Sequence, residues 1–183
     1  MIRSVCVFCG SAPGARPSYS AAAEELGTAL AHRGITLVYG GGRLGLMGIV
    51  AEAALKAGGR VVGVIPRMLI ERELAHVKLT QQHVVNTMHE RKTLMAEMSD
   101  GFVGLPGGMG TFDELVEIVT WAQLGLHAKP VILANIENYF DKLYAMLDYA
   151  VAEKFVTAES RARWRNAESV TRVMQILAGE GIS

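Results

Sequence analysis

The chain has 183 residues, half of them hydrophobic, and its 18 basic and 18 acidic side chains leave no formal net charge at pH 7. A chain of this length can bury one large core, so we expect residues 1–183 to form one domain. The charge balance excludes the global positive field that drives nonspecific binding to nucleic acids or anionic membranes. No apolar run reaches the roughly 18 residues of a membrane span, and the N-terminus lacks a signal-peptide pattern. We therefore expect a cytoplasmic protein that binds neither nucleic acid nor membrane.

Short apolar segments alternate with helical patterns along the chain. The predicted strands are residues 5–8, 35–39, 60–65, 83–85, 102–105 and 131–134. The predicted helices are residues 18–33, 46–56, 88–99, 112–124, 139–152 and, in the tail, 158–178. Residues 67–82 show no clear period and predict an irregular excursion. The alternation is typical of a Rossmann-like, doubly wound α/β fold, which has a mostly parallel sheet with helices on both faces.

The two cysteines, Cys6 and Cys9, have the C-x-x-C spacing of some redox and metal sites. Here both lie in or next to a predicted strand, where residues three apart point to opposite faces of the sheet. The sequence has no second C-x-x-C pair, and its five histidines show no metal-ligand spacing. We therefore expect buried, reduced thiols, with no metal site and no cofactor.

A glycine loop follows the second predicted strand and contains G-x-G-x-x-G at Gly40, Gly42 and Gly45. Backbone N–H groups in such a loop can bind a phosphate at a helix start. A dinucleotide site would also need a carboxylate about 20 residues further on, and residues 60–66 contain none. The loop is therefore either a structural turn or a phosphate-binding loop, in which Gly41, Gly42 and Gly45 are the candidate residues.

The helix predicted over residues 88–99 begins with a basic pair, Arg91 and Lys92. Thr87 and Glu90 have capping-box spacing, which places the helix start at Thr87. Arg91 falls on the face that should contact the core, where a charge needs a partner. Because cations near a helix N-terminus oppose the helix dipole, a bound phosphate would stabilise this pair. The alternative is a solvated pair or a structural ion pair.

A second glycine loop, residues 106–111 with the sequence Pro-Gly-Gly-Met-Gly-Thr, joins a predicted strand to a predicted helix. Glycines at such a turn let backbone N–H groups approach an anion. Glu114 follows at capping-box spacing from Thr111, so it could serve only to cap the helix. Alternatively it lies beside the anion site near Arg91, where a carboxylate is costly unless a ligand or a reaction uses it.

These two motifs together, residues 88–92 and 106–114, resemble those of the "Lonely Guy" family of cytokinin-activating phosphoribohydrolases, long labelled lysine decarboxylases. The resemblance extends over about residues 5–155 and includes five further segments. They are Cys9-Gly10-Ser11, Tyr39-Gly40-Gly41-Gly42, Gly45-Leu46-Met47-Gly48, Val64-Ile65-Pro66 and Thr120-Trp121-Ala122-Gln123-Leu124-Gly125. Members of that family have a Rossmann-like fold, form dimers or larger oligomers, and cleave the N-glycosidic bond of isopentenyladenosine monophosphate and similar nucleotides. The products are free cytokinin base and ribose 5-phosphate.

The resemblance implies that Arg91 and Glu114 form the catalytic pair. It implies substrate contacts from nine residues, namely Glu73, Lys92, Gly108, Met109, Gly110, Thr111, Phe112, Asp113 and Thr120. Met109 stands where many members have an aromatic residue, and Ile70-Glu71 replaces a proline-containing turn before Glu73. A carboxylate can stabilise an oxocarbenium-like ribosyl cation or orient water, whereas an arginine, which is a poor proton donor, suits hydrogen bonding better than general acid catalysis.

The resemblance also implies a homodimer that acts on a small nucleoside 5′-monophosphate without a cofactor. Two other functions would use the same fold and loops. One is a phosphoribohydrolase for AMP or purine nucleotides in general, and the other is a carrier of a nucleotide or cofactor that performs no catalysis. A lysine decarboxylase is disfavoured, since pyridoxal phosphate chemistry needs a Schiff-base lysine and only Lys92 of the six lysines lies near a motif.

Overall fold

The computed structural model describes residues 2–70, 75–76 and 78–180, and within them seven strands form one sheet. The strands are β1 (Ser4–Phe8), β2 (Thr36–Tyr39), β3 (Val61–Pro66), β4 (Gln81–Val85), β5 (Gly101–Gly104), β6 (Val131–Ala134) and β7 (Trp164–Ala167). Their order is β4-β3-β2-β1-β5-β6-β7, and each neighbouring pair is parallel. The structure confirms the predicted parallel α/β sheet.

Helices cover both faces of this sheet, as its continuously apolar central strands require. The helices are α1 (Pro17–His32), α2 (Gly45–Lys56), α3 (Arg67–Ile70), α4 (Met88–Glu97), α5 (Met109–Gln123), α6 (Asp141–Ala152), α7 (Ala158–Ala162) and α8 (Val170–Leu177). Apolar side chains of α1, α2 and α8 pack on one face, and those of α4, α5 and α6 pack on the other. No helix in the described part of the chain is long and apolar enough to cross a membrane.

The strand order reverses next to β1. From β1 the chain builds outward through β2, β3 and β4, and then crosses back to place β5 on the other side of β1. Two backbone hydrogen bonds join the ends of β1 and β5: Leu105 N–H donates to Phe8 O at 2.9 Å, and Gly10 N–H donates to Pro106 O at 3.1 Å. Loops that leave such a reversal point in opposite directions open a crevice at the carboxyl edge of the sheet.

The prediction of a continuous helix over residues 158–178 is wrong. Residues Trp164–Ala167 form β7, which extends the sheet beyond β6, and α7 and α8 flank it. Trp164 and Ala167 belong to the core layers on opposite faces of the sheet, as expected for residues three apart on a strand. Ser169 then starts α8, because its hydroxyl accepts a hydrogen bond from Arg172 N–H. Pairing with β6, a tertiary contact, outweighs the helical spacing of the apolar residues.

The two cysteines lie on either side of the sheet. Cys6 and Cys9 are free and buried, and each belongs to a different core layer. Burial raises the pKa of both thiols, which keeps them protonated and unreactive. The prediction of buried, structural thiols is confirmed.

Helices α1 and α2 approach each other most closely at Gly27. A Cβ atom at this position would lie 2.3 Å from Val50 O and 3.0 Å from Ala54 N. The neighbouring atoms belong to the backbone of α2, which cannot rotate away as a side chain could. The contact between the two helices therefore depends on the absence of a side chain at residue 27.

We expect Gly27→Ala to lower the free energy of unfolding by about 1–3 kcal/mol, the usual cost of overpacking. This loss should appear although alanine favours a helix over glycine by about 1 kcal/mol. Urea denaturation would measure it, with Glu25→Ala on the exposed side of α1 as a control that should stay within about 0.5 kcal/mol of the unsubstituted protein. A Gly27→Ala protein as stable as the control would show that the helices separate at little cost.

Candidate active site

A cavity of about 340 Å³ lies at the carboxyl edge of the sheet, beside the point where the strand order reverses. Its walls come from the loop after β1, the glycine loop after β2, the end of β3, the first turn of α4 and the first two turns of α5. Both motifs on which the family resemblance rests therefore reach the same cavity. Ligands of doubly wound folds bind at this edge of the sheet.

Arg91 lies in this cavity with only 8% of its surface exposed. The hydroxyl of Thr87 accepts a hydrogen bond from Glu90 N–H and starts α4 one turn before Arg91. The Arg91 side chain then reaches under the neighbouring strands, where Nε donates to Val64 O and Nη2 donates to Gly40 O, each at 3.1 Å. Because a Cβ at residue 40 would lie 1.8 Å from Nη2, only glycine leaves room for the guanidinium.

Glu114 faces Arg91 from α5. Its Oε1 lies 3.6 Å from Arg91 Nη1, and 8% of the residue is exposed. The capping interpretation is wrong, because α5 begins at Met109 after its N-cap Gly108, three residues before the predicted start. Glu114 therefore lies in the second turn of the helix, beyond the positions that a cap serves. Burial raises the pKa of Glu114 to about 7, although the positive charge of Arg91 opposes this shift.

The N-terminus of α5 opens into the same cavity. No side chain caps its first turn, and the cavity is lined by Gly108, Met109, Gly110 and Thr111. A Cβ at Gly108 or Gly110 would meet no atom within 4 Å, so the space next to this backbone is open. Free N–H groups at the positive end of a helix bind anions. The uncapped helix start on which the predicted anion site depends thus lines the cavity, with Glu114 one turn further along the helix, and anion binding there stays a prediction.

Phe112 and Asp113 lie between Thr111 and Glu114 in the chain, but their side chains have other contacts. Phe112 stacks on Tyr139 with ring centroids 6.5 Å apart, and the Tyr139 hydroxyl donates to Gly107 O, which supports the loop from behind. Asp113 lies 3.2 Å from Lys92 Nζ. Neither residue lines the cavity in the described part of the chain.

Lys92 joins α4 to α5. Its Nζ lies 3.0 Å from Glu117 Oε2 in addition to its contact with Asp113, and it does not line the cavity among the described residues. This is the structural ion pair that the sequence left open as an alternative. The substrate contacts implied for Lys92, Phe112 and Asp113 stay predictions.

Thr120, a further residue implied by the family resemblance, does not line the described cavity. Thr120 is exposed on α5, six residues or about 9 Å along the helix beyond Glu114. Its hydroxyl donates to Val116 O at 2.8 Å. Glu73 lies outside the described residues. The roles of both stay predictions.

The three candidate glycines of the first glycine loop differ in their roles. Gly42 lines the cavity and forms an antiparallel bridge with Ala75. Gly41 and Gly45 have φ angles of 71° and 59°, the left-handed region that favours glycine. A Cβ at Gly45 would lie 2.3 Å from the backbone of Ser11, so this residue lets α2 pack against the loop after β1. These two glycines have the structural role, and a phosphate contact from any of the three stays a prediction.

Sequence reasoning missed the apolar wall of the cavity. This wall consists of Leu44, Met47, Ile65 and Leu69, and Cys9 lies at its edge. All five follow or end a strand at the carboxyl edge of the sheet, so the rule that ligands bind there could have identified them. The cavity therefore combines a charged corner with an apolar wall, an arrangement typical of sites for small organic ligands.

Two of the described histidines form contacts with a carboxylate and with a backbone carbonyl. His76 Nε2 lies 3.1 Å from Glu52 Oε1, and His127 Nε2 lies 2.9 Å from Ile118 O. Within residues 2–70, 75–76 and 78–180, no three His, Cys, Asp or Glu side chains come together as metal ligands would.

Comparison with known proteins identifies relatives of this chain. A family model described as "Possible lysine decarboxylase" matches residues 47–177. The probable cytokinin riboside 5′-monophosphate phosphoribohydrolase LOGL5 of Oryza sativa subsp. japonica is 53% identical over 159 residues, which are 87% of this chain and 65% of that protein. The cytokinin riboside 5′-monophosphate phosphoribohydrolase LOG1 of Arabidopsis thaliana is 49% identical over 159 residues, which are 87% of this chain and 75% of that protein. The chain thus spans 65% of the length of the first of these relatives, just under two thirds, and 75% of the second.

Solved structures share the fold at lower identity. The X-ray structure of TM1055 has a TM-score of 0.74 and 24% identity, over 97% of this chain and 99% of that one. The molybdenum cofactor binding protein from the phototrophic bacterium Rippkaea orientalis also has a TM-score of 0.74, with 21% identity over 98% of this chain and 97% of that one. With a family model that matches most of its length and relatives at about 50% identity, the chain belongs to the family described as possible lysine decarboxylases, that of the plant LOG proteins.

Proposed function

We propose that this protein hydrolyses the N-glycosidic bond of cytokinin riboside 5′-monophosphates and releases the free base and ribose 5-phosphate. The observation that carries the proposal is the buried pair of Arg91 and Glu114, which faces an uncapped helix N-terminus across one cavity. Relatives named for this activity are about 50% identical to the chain, which supports the proposal.

The phosphate of the substrate fits the N-terminus of α5. The backbone of residues 108–111 lines the cavity there, with no side-chain cap that would compete for the N–H groups. A phosphate would accept hydrogen bonds from these groups and would interact favourably with the helix dipole. Binding at this point places the ribose next to the second turn of α5, where Glu114 lies.

Glu114 supplies the negative charge that the reaction needs. As the glycosidic bond breaks, the base leaves with the bonding electron pair and positive charge develops on the ribose. A carboxylate held in a site shielded from water stabilises this charge far better than it would in water. Water, oriented by the carboxylate, then adds to C1′ and gives up one proton to the carboxylate, which passes it on to solvent. The base leaves with the bonding electron pair and takes up one proton from solvent, so that its nitrogen becomes neutral and the protons balance.

Arg91 positions the substrate and Glu114. A guanidinium is a poor general acid, so its contribution is hydrogen bonding and charge. Two of its five N–H groups are bound to Val64 O and Gly40 O, and these neutral partners leave its charge available. The remaining donors on a guanidinium in the cavity wall can bind the phosphate or the leaving base while the charge keeps Glu114 close.

The apolar wall favours a prenylated base over plain AMP. Leu44, Met47, Ile65 and Leu69 give the cavity a surface that would gain from burying hydrocarbon. Burial of apolar surface contributes about 25 cal/mol per Å², so an isoprenoid group would add affinity that AMP lacks. The predicted alternative of a general purine nucleotide phosphoribohydrolase would not need this wall.

Product analysis with isopentenyladenosine monophosphate and with AMP tests this function. We expect free base and ribose 5-phosphate from both incubations, with faster release from the prenylated nucleotide. Equal rates would favour general purine nucleotide turnover. If neither nucleotide is cleaved, a carrier that binds without catalysis would be favoured, since the fold is also that of molybdenum cofactor binding proteins.

We further propose that the chain forms one domain and assembles as a homodimer through α5. The outer face of this helix exposes Val116 and Leu124, two turns apart, on either side of Thr120. Exposed apolar side chains on one face commonly mark an interface between proteins. The cytoplasmic location stays a prediction from the sequence.

Glu114→Gln should reduce kcat by about 100-fold or more, since it keeps the shape of the side chain and removes the stabilising charge. Steady-state hydrolysis of isopentenyladenosine monophosphate would measure this. Glu97→Gln, the same change at an exposed position of α4, is the matched control and should retain full activity. Near-normal turnover by a folded Glu114→Gln protein would remove Glu114 from the reaction.

The kcat/KM of the unsubstituted enzyme should rise with pH and level off above an apparent pKa near 7, because Glu114 has a pKa of about 7 and acts as the carboxylate. The substrate phosphate also ionises with a pKa of about 6. A profile measured for Glu114→Gln separates the two groups, since it should keep only the lower ionisation. Activity that falls as the pH rises through 7 would instead indicate that protonated Glu114 donates a proton.

Leu124→Glu should convert the dimer to a monomer, because it places a charge in the proposed apolar contact. Size-exclusion chromatography with light scattering would report the mass. Ala21→Glu adds the same charge to the exposed side of α1 and should leave the dimer intact. A dimer that survives Leu124→Glu would contradict an interface at this face of α5.

A further inference from the structure

A second cavity, of about 220 Å³, lies at the amino edge of the sheet, opposite the candidate active site. It opens between the start of β6, the start of β7 and the short helix α7. Its charged lining residues are Lys129, Arg163, Arg165 and Glu159. Three positive charges thus meet one negative charge, in a protein whose charges balance overall.

The two arginines are incompletely paired. Arg163 Nη2 lies 2.9 Å from Glu159 Oε1, but this carboxylate is 83% exposed, so water weakens the attraction. The Nε of Arg163 is buried and has no hydrogen-bond partner among the described residues. Arg165 is half-buried, and its side chain forms no hydrogen bond or ion pair with any described residue. A buried donor without a partner is unfavourable and indicates a missing acceptor.

Lys129 adds a charge that its closest contacts do not neutralise, although the exposed Asp100 interacts with it electrostatically. Its Nζ donates to Ala96 O at 2.8 Å and lies 6.0 Å from the ring centroid of Phe102, and neither partner carries a charge. The positive field extends to His127 nearby. Burial lowers the pKa of His127, and the charges of Lys129 and Arg163 lower it further, whereas the hydrogen bond that its Nε2 donates to Ile118 O raises it.

We propose that this cavity binds a phosphate group, as inorganic phosphate or as a small phosphomonoester. Arginines present several N–H donors in a planar fork, which matches the oxygens of a phosphate, and the unpartnered Nε of Arg163 is one such donor. The cavity is smaller than the roughly 300–1,000 Å³ of sites that hold drug-sized ligands, so a whole nucleotide is too large for it. This proposal does not depend on the proposed catalytic function.

Calorimetric titration with sodium phosphate at constant ionic strength would test the proposal. The unsubstituted protein should show two binding events, one at the active site and one in this cavity. Arg165→Ala should weaken phosphate binding in this cavity by at least about tenfold and leave hydrolysis in phosphate-free buffer unchanged. Arg60→Ala removes the same charge from an exposed position at the amino edge of the sheet and should retain both events.

Further variants keep the outcomes distinct. Arg91→Ala should weaken only the other event, and if it weakens neither, Arg91 does not bind the phosphate at the active site, while the cavity proposal stands. Arg165→Lys, which preserves the charge, should recover part of the affinity and thereby exclude misfolding as the cause. A titration with ribose 5-phosphate distinguishes the two kinds of ligand. Tighter binding of ribose 5-phosphate than of inorganic phosphate in this cavity would indicate a phosphomonoester site, and the reverse would indicate a site for inorganic phosphate. Equal phosphate binding by Arg165→Ala and Arg60→Ala would overturn the proposal.

Discussion

The candidate site depends on the burial of one guanidinium beneath the ends of two strands. Arg91 can occupy this position only because Gly40 has no side chain and because the carbonyls of Gly40 and Val64 accept its hydrogen bonds. These carbonyls satisfy the donors without cancelling the charge. A positive charge fixed in a buried place then offsets part of the cost of removing the Glu114 carboxylate from water.

Burial and the charge of Arg91 have opposite effects on the ionisation of the Glu114 carboxyl group. Desolvation of Glu114 dominates the attraction of Arg91, so that its pKa is about 7. A group in this position is partly ionised at neutral pH, and small changes in its surroundings alter its charge. A bound phosphate adds negative charge nearby, which disfavours the ionised form of Glu114. Positive charge that develops on a ribose offsets this repulsion and the desolvation cost of the carboxylate. The site thus favours a ligand that brings both charges.

The two edges of the sheet have different electrostatic character. The carboxyl edge pairs Arg91 with Glu114 and adds an apolar wall, whereas the amino edge gathers three cations around Glu159. A parallel sheet creates this asymmetry, because all its strands begin at one edge and end at the other. Residues far apart in the chain, such as Lys129 and Arg165, therefore meet at one edge.

The sequence by itself determined the alternation of strands and helices, the core-facing position of Arg91 and the motifs that reveal the family, since these depend on local spacing and residue type. It could not decide whether Glu114 capped a helix, because one spacing serves both roles. It also hid β7 within an apparent helix, since Trp164 and Ala167 acquire their strand partners only from β6. The tertiary structure decided these points, because burial, distance and pairing between segments depend on how the whole chain packs.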